Sequence, residues 1–263
     1  MAKSDITDYL AFAHQLADAA RHAIAPYFRN VLTDNKFGPG GFDPVTAADR
    51  GAERAMRDLI SAHYPDHRVY GEEEGGSLSD DTPTWVLDPI DGTRAFICGL
   101  PTWGTLIALD LGQGPLVGIL DQGFTKERFF AGRDGAYLTR DGQTQKLAAR
   151  QTVRLEDATL ATTSPDLFTD PNELRVFNTL RSRVRMTRYG TDCYAYAMLA
   201  AGHIDLVVES GLKPYDIQAL IPIIEQAGGV ITTWDGGSPR KAGRIVAAAT
   251  VELHQAACAV LAT

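Results

Sequence analysis

The stretch Trp85-Val86-Leu87-Asp88-Pro89-Ile90-Asp91-Gly92-Thr93 begins as an apolar run and ends in two carboxylates beside a glycine. Large apolar and β-branched residues in succession favour a strand buried on both faces, so Trp85–Leu87 is expected to deliver Asp88 and Asp91 into a turn at its end. Pro89 restricts that turn, so that both carboxylates can face one centre. Gly92 lets the backbone approach a phosphate closely, and a short helix starting near Thr93 would add free N–H groups for an anion. Taken alone, Asp91-Gly92 is also a common turn pair.

Outward from this core lie two further acidic segments. Gly71-Glu72-Glu73-Glu74-Gly75-Gly76 follows another short β-rich run, and Pro214-Tyr215-Asp216 opens a helix. Each has a plain alternative: a glutamate triplet between glycines is commonly a solvated loop, Asp216 suits a helix dipole, and Asp49 caps a helix opened at Thr46. Gathered at one point, however, Glu72, Asp88, Asp91 and Asp216 could not all stay ionised without compensation. They would take up protons or hold hard cations, and oxygen-only ligands favour magnesium or manganese over zinc.

The remaining pattern places these segments in a fold. Apolar residues from Tyr9 to Ile24 recur at helical spacing within 6–29, and 35–43 is a Gly- and Pro-rich loop. A second helix runs from Thr46, with Asp49 three residues on as a capping box, to a stop near Tyr64-Pro65. Strands at 68–71, 85–87, 104–109, 116–120 and 128–130 suggest a meandering antiparallel sheet. From 159 onward strands and helices alternate, including one helix over 215–227 and a strand ending at Val208, which reads as α/β. The polar stretch 140–150 marks a boundary between two fused lobes, 1–143 and 144–263.

Bulk properties exclude several classes. A formal charge of -8 repels polyanions and argues against nucleic-acid binding, and it would repel a phosphate ester too unless cations were recruited locally. Cys98, Cys193 and Cys258 match neither a disulfide framework nor a zinc knuckle and suit a reducing cytoplasm. The start of the chain has no apolar signal segment, and no window suits a bilayer span.

Four blocks together resemble the inositol monophosphatase superfamily over nearly the whole chain: Asp43-Pro-Val-Thr-Ala-Ala-Asp49, Gly71-Glu-Glu73, Asp88-Pro-Ile-Asp-Gly-Thr93, and Tyr215-Asp216 ahead of Gly228-Gly229. Tyr215 stands where the family often has tryptophan. The surroundings, Arg94-Ala-Phe-Ile97, Gly99-Leu-Pro-Thr-Trp-Gly-Thr105, Gly190-Thr-Asp-Cys-Tyr-Ala-Tyr196 and Gly211-Leu-Lys-Pro-Tyr-Asp-Ile217, look like its histidinol-phosphate phosphatase branch. The resemblance implies an α+β or α/β fold built as a five-layered α-β-α-β-α sandwich, usually a homodimer, with two to three magnesium ions and manganese as the alternative. By carry-over, Glu72, Asp88 and the carbonyl of Ile90 hold one ion, Asp88, Asp91 and Asp216 a second, and a third sits near Glu72. Thr93 paired with Asp49 orients and helps deprotonate a water, and the amides of Gly92 and Thr93 hold the phosphate. Asp192 and Glu209 join Asp91 and Asp216 beside the leaving group. Lithium sensitivity is a family habit.

The expected reaction is hydrolysis of a phosphate monoester by in-line attack of water, without a phosphoenzyme. Two carboxylates near the leaving group suit histidinol phosphate, whose alcohol carries an ammonium and an imidazole; the plain alternative is that Asp192 caps a helix and Glu209 is a solvated strand end. Inositol phosphate and a phosphorylated nucleotide are the rival substrates. A silent metal-binding regulatory module is the rival of another class, against which the pair Thr93 and Asp49 argues.

Overall fold

A computed structural model describes residues 3–30, 46–132 and 134–263. The expected loop 35–43 and the Asp43–Val45 end of the first block lie outside the described residues. Helix α1 (Lys3–Ile24) buries Phe12, Ala13, Leu16, Ala17, Ala20 and Ile24 along one face. Helix α2 (Thr46–His63) buries Ala48, Ala52, Met56 and Ile60, spaced four apart, so the two helices form one layer.

That layer covers a sheet of seven strands in sequential order: β1 (Arg68–Gly71), β2 (Thr84–Asp91), β3 (Gly104–Asp110), β4 (Pro115–Gln122), β5 (Glu127–Gly132), β6 (Gly135–Arg140) and β7 (Gln143–Lys146). The pairing is antiparallel throughout except that β1 runs parallel to β2. Alternation along β2 divides the core: Trp85 and Leu87 pack under α1 and α2, while Val86 faces the other way with Leu106, Ala108 and Leu120. Helix α3 (Thr93–Ile97) follows β2 directly.

The second half supplies β8 (Thr159–Thr162), α4 (Pro171–Arg181), β9 (Met186–Tyr189), α5 (Asp192–Ala200), β10 (Leu206–Leu212), α6 (Pro214–Ile217), α7 (Leu220–Gln226), β11 (Val230–Thr233), β12 (Gly243–Ala248) and α8 (Val251–Leu261). Its five strands order as β11-β12-β10-β8-β9, parallel between β10, β8 and β9 and antiparallel elsewhere. α5 and α7 lie between the two sheets, which is why Leu220 to Ile224 are buried all round. α4 and α8 close the far side over Leu160, Leu206, Val208 and Val246. The layers therefore run α-β-α-β-α, as the resemblance implies.

Four expectations change. β2 is not a short strand ending in a turn but continues through Asp88 to Asp91. β6 and β7 join the first sheet; β7 is an exposed polar edge strand with no apolar alternation to betray it, so the expected division at 143/144 falls within it. The single helix expected over 215–227 is two, because Pro222 lacks the N–H that a continuous helix would donate to the carbonyl of Gln218. β10 extends past Val208, which puts Glu209 inside the sheet and 2% exposed rather than at a solvated end.

The first sheet and the helices between the sheets meet closely at Gly118 of β4, where an added Cβ would fall 2.1 Å from the carbonyl oxygen of Ala219. Gly118→Ala is expected to lower the unfolding free energy by about 1–3 kcal/mol in a denaturant melt. Unchanged stability would mean the helix layer does not press on the sheet there.

Candidate metal and phosphate site

Asp88 and Asp91 are three residues apart, so in a regular strand they would point to opposite faces. They do not, because β2 carries a bulge: Asp88 pairs with Leu106 and Asp91 with Gly104, so two steps on β3 match three on β2. Both carboxylates then share the inter-sheet side, while Ile90 between them packs into the core beneath α1 and α2. Pro89 fits the bulge, having no N–H to leave unpaired, and its carbonyl accepts a 2.7 Å hydrogen bond from the Thr105 hydroxyl.

Asp216 reaches the same point from α6. Its side chain accepts the Lys213 amide at 2.6 Å, which fixes the first turn of that helix. One oxygen each from Asp88, Asp91 and Asp216 lies within 4.8 Å of the others. Glu72, from the loop after β1, adjoins them through Asp88 and Asp216. Asp49 lies buried on α2, near enough for its charge to act on Asp88.

Burial and mutual repulsion set the electrostatics of these carboxylates. Burial, then the carboxylates of Glu72, Asp91, Asp216 and Asp49, push Asp88 well above the usual range. Burial and Asp216 do the same to Asp91, against the hydrogen bond it accepts from Cys193. Burial raises Asp216 to about 6, and burial with the charge of Asp216 raises Glu72 to about 7. Glu72 leaves much of its residue surface open, yet its carboxyl sits in the acidic cluster. Asp88 Oδ1 is buried with no hydrogen-bond donor among the described residues. An orphaned carboxylate oxygen, facing further carboxylates, fits a hard divalent cation.

Around the cage, Gly92 is held at φ 84°, and a Cβ there would fall 3.1 Å from Trp103 Cα and 3.2 Å from Asp192 Cβ. The position therefore requires glycine on both conformational and steric grounds. Thr93 opens α3 and its hydroxyl donates to the Ile90 carbonyl at 3.3 Å. Asp192 opens α5 at φ 44° but does not cap it. The amide of Cys193 in that first turn instead donates to Asp91 Oδ2 at 2.8 Å, so a cage carboxylate braces α5. Burial raises Asp192 to about 6, opposed by Arg94.

Glu209 accepts three hydrogen bonds: from the Thr162 hydroxyl at 3.2 Å, the Thr163 amide at 2.7 Å and the Thr163 hydroxyl at 3.0 Å. Burial still lifts it to about 7. Sequence reasoning missed the supports: Thr105, Thr162, Thr163, and Glu53 behind the Glu72 loop. It also missed Tyr196, whose buried hydroxyl feels Glu209, Asp91 and Asp216 and has no hydrogen-bond partner among the described residues. Glu53 alone carried a signal, standing four residues after Asp49 on the buried side of α2.

The family model described as the inositol monophosphatase family matches residues 5–263. The chain is 40% identical to a chloroplastic bifunctional phosphatase, IMPL2, of Arabidopsis thaliana over 98% of this chain and 76% of that protein. It is 35% identical to a histidinol-phosphatase of Streptomyces coelicolor over 95% of each chain. Among solved structures, an inositol monophosphatase from Zymomonas mobilis superposes with a TM-score of 0.87 at 40% identity, covering 98% of both chains.

The raised carboxyls bind protons more tightly folded than unfolded. Their stabilising contribution in cation-free protein is therefore complete below their unfolded values and lost as pH rises through about 6 for Asp216 and about 7 for Glu72. A cation needs the ionised forms, so it works in the opposite sense. The rise in melting temperature on adding magnesium to chelator-treated protein is expected to grow between about pH 5 and about pH 7. A rise that stays constant across that window would contradict the cage.

Proposed function

The chain belongs to the inositol monophosphatase family and is a phosphatase; from that premise we propose that it hydrolyses histidinol phosphate with magnesium as its resident cation. The observation that carries the cation reading is the meeting of Asp88, Asp91 and Asp216 around an orphaned buried carboxylate oxygen.

Glu72, Asp88 and the Ile90 carbonyl would hold one ion, and Asp88, Asp91 and Asp216 a second, with a third near Glu72 and manganese as a substitute. When bound, the ions neutralise the phosphate, acidify a water and stabilise the departing oxygen. Thr93, with Asp49, orients the attacking water and draws off its proton. The amides of Gly92 and Thr93 hold the phosphate, and the glycine's missing side chain leaves room for its approach. Water adds to phosphorus as the ester P–O bond breaks, and the alcohol leaves with a proton.

Substrate choice falls to Asp192 and Glu209. Glu209 is held rigidly by Thr162 and Thr163, and Asp192 stands against Gly92. A cationic leaving group would restore both to their charged forms, reversing what burial imposes. A neutral polyol offers no such compensation. Several relatives bear the name histidinol-phosphatase, at 33–35% identity. The similarity to the Zymomonas mobilis protein supports inositol phosphate as the second reading. The resemblance also carries a homodimer, and the free cysteines suit a reducing cytoplasm; among the described residues no helix is long and apolar enough to cross a membrane.

Asp88→Asn is expected to keep the fold and abolish phosphate release, read by circular dichroism and initial rates; normal turnover at ordinary magnesium would refute the site. Initial rates on histidinol phosphate and inositol phosphate at fixed magnesium test the substrate. Glu209→Gln is expected to cut kcat/KM about 10-fold or more on histidinol phosphate, the scale of one lost charged contact, with a much smaller change on inositol phosphate. Equal losses would count against a recognition role for Glu209.

A further inference from the structure

Glu53 lies on α2, fully buried, with both carboxylate oxygens committed. Oε2 accepts the Glu73 amide at 2.8 Å; Oε1 accepts the Glu74 amide at 3.0 Å and the Arg57 guanidinium at 2.8 Å. Arg57 reaches on to the Gly75 carbonyl at 2.7 Å. Gly71 admits this arrangement, since a Cβ there would lie 2.1 Å from Glu53 Oε1. On the other side, the Glu72 amide donates to the Leu87 carbonyl at 3.2 Å, one residue before Asp88. The backbone of Glu72 is thus tied to β2 by its own amide and to α2 by the next two. Burying a carboxylate is costly, and here two amides and a guanidinium offset the cost.

We propose that Glu53 is a positioning residue for cation binding: by carrying the amides of Glu73 and Glu74 it holds the Glu72 carboxylate against Asp88 and Asp216, while its own oxygens serve the loop. The proposal rests on the reading of Glu72 as a metal ligand. Glutamine at 53 keeps the shape, but its NH2 group cannot accept an amide hydrogen, so one anchor of the loop is lost together with the charge paired to Arg57.

The test is magnesium binding to the full chain by calorimetry, together with the magnesium dependence of phosphate release, for the parent, Glu53→Gln, Glu72→Gln and the double variant. Glu53→Gln is expected to weaken magnesium binding about 10-fold or more, as changes behind a metal ligand commonly do, with kcat largely recovered at saturating magnesium. Binding by the double variant should be no weaker than by Glu72→Gln alone, because Glu53 acts through Glu72. Parent-like affinity in Glu53→Gln beside weakened affinity in Glu72→Gln overturns the positioning role alone. Parent-like affinity in Glu72→Gln overturns the ligand reading and the proposal with it. Should Glu53→Gln not fold, Arg57→Gln removes the Gly75 anchor and leaves Glu53 in place; a weaker magnesium affinity is expected there too, and an unchanged one overturns the proposal.

Discussion

The bulge in β2 is the constraint on which the site depends. A strand that kept strict alternation would send Asp88 toward the space between the sheets and Asp91 into the apolar layer under α1 and α2, or the reverse. One additional residue opposite β3 brings both to the same side and leaves Ile90 for the core. Pro89 and the Thr105 hydroxyl make that irregularity affordable within a buried strand. Without it, the carboxylates arriving from α6 and from the β1 loop would meet only one partner.

The cage is a repulsive object and the fold treats it as one. Two of its carboxylates are braced from behind, Asp91 by the amide of Cys193 and Asp216 by the amide of Lys213, and Glu209 nearby is held by Thr162 and Thr163. These donors are mostly backbone N–H groups, which supply partial positive charge without a mobile side chain that would compete for the site. Arginines stand further out, where they hold structural acids such as Asp110, Asp121 and Asp205.

Much of this was readable from residues alone. The apolar run before Asp88, the glycines around Glu72 and the helix after Asp216 marked out the carboxylates, and helical spacing located α1 and α2. What escaped shares one physical character: it depends on partners distant in sequence. β7 has no apolar periodicity and exists only because β6 offers an edge. The bulge leaves no mark except a proline that equally suits a turn. Glu209 follows an apolar run like any solvated strand end, and only the threonines of β8 and its flank show that it is enclosed. The break before α7 was visible in Pro222, a residue that the 3.6-residue pattern passes over.

That break has a consequence for how the molecule can change. Because the turn bearing Asp216 is a separate element, its orientation is governed locally by Gln218, whose side-chain amide spans Asp110 and the Arg240 carbonyl at 3.0 and 2.9 Å. α7, wedged between the sheets, answers to a different set of neighbours. Aim and cohesion are thereby under separate sequence control. The angle of this acidic arm can be retuned by altering a few polar groups beside Asp110 and Arg240, leaving the apolar wedge untouched.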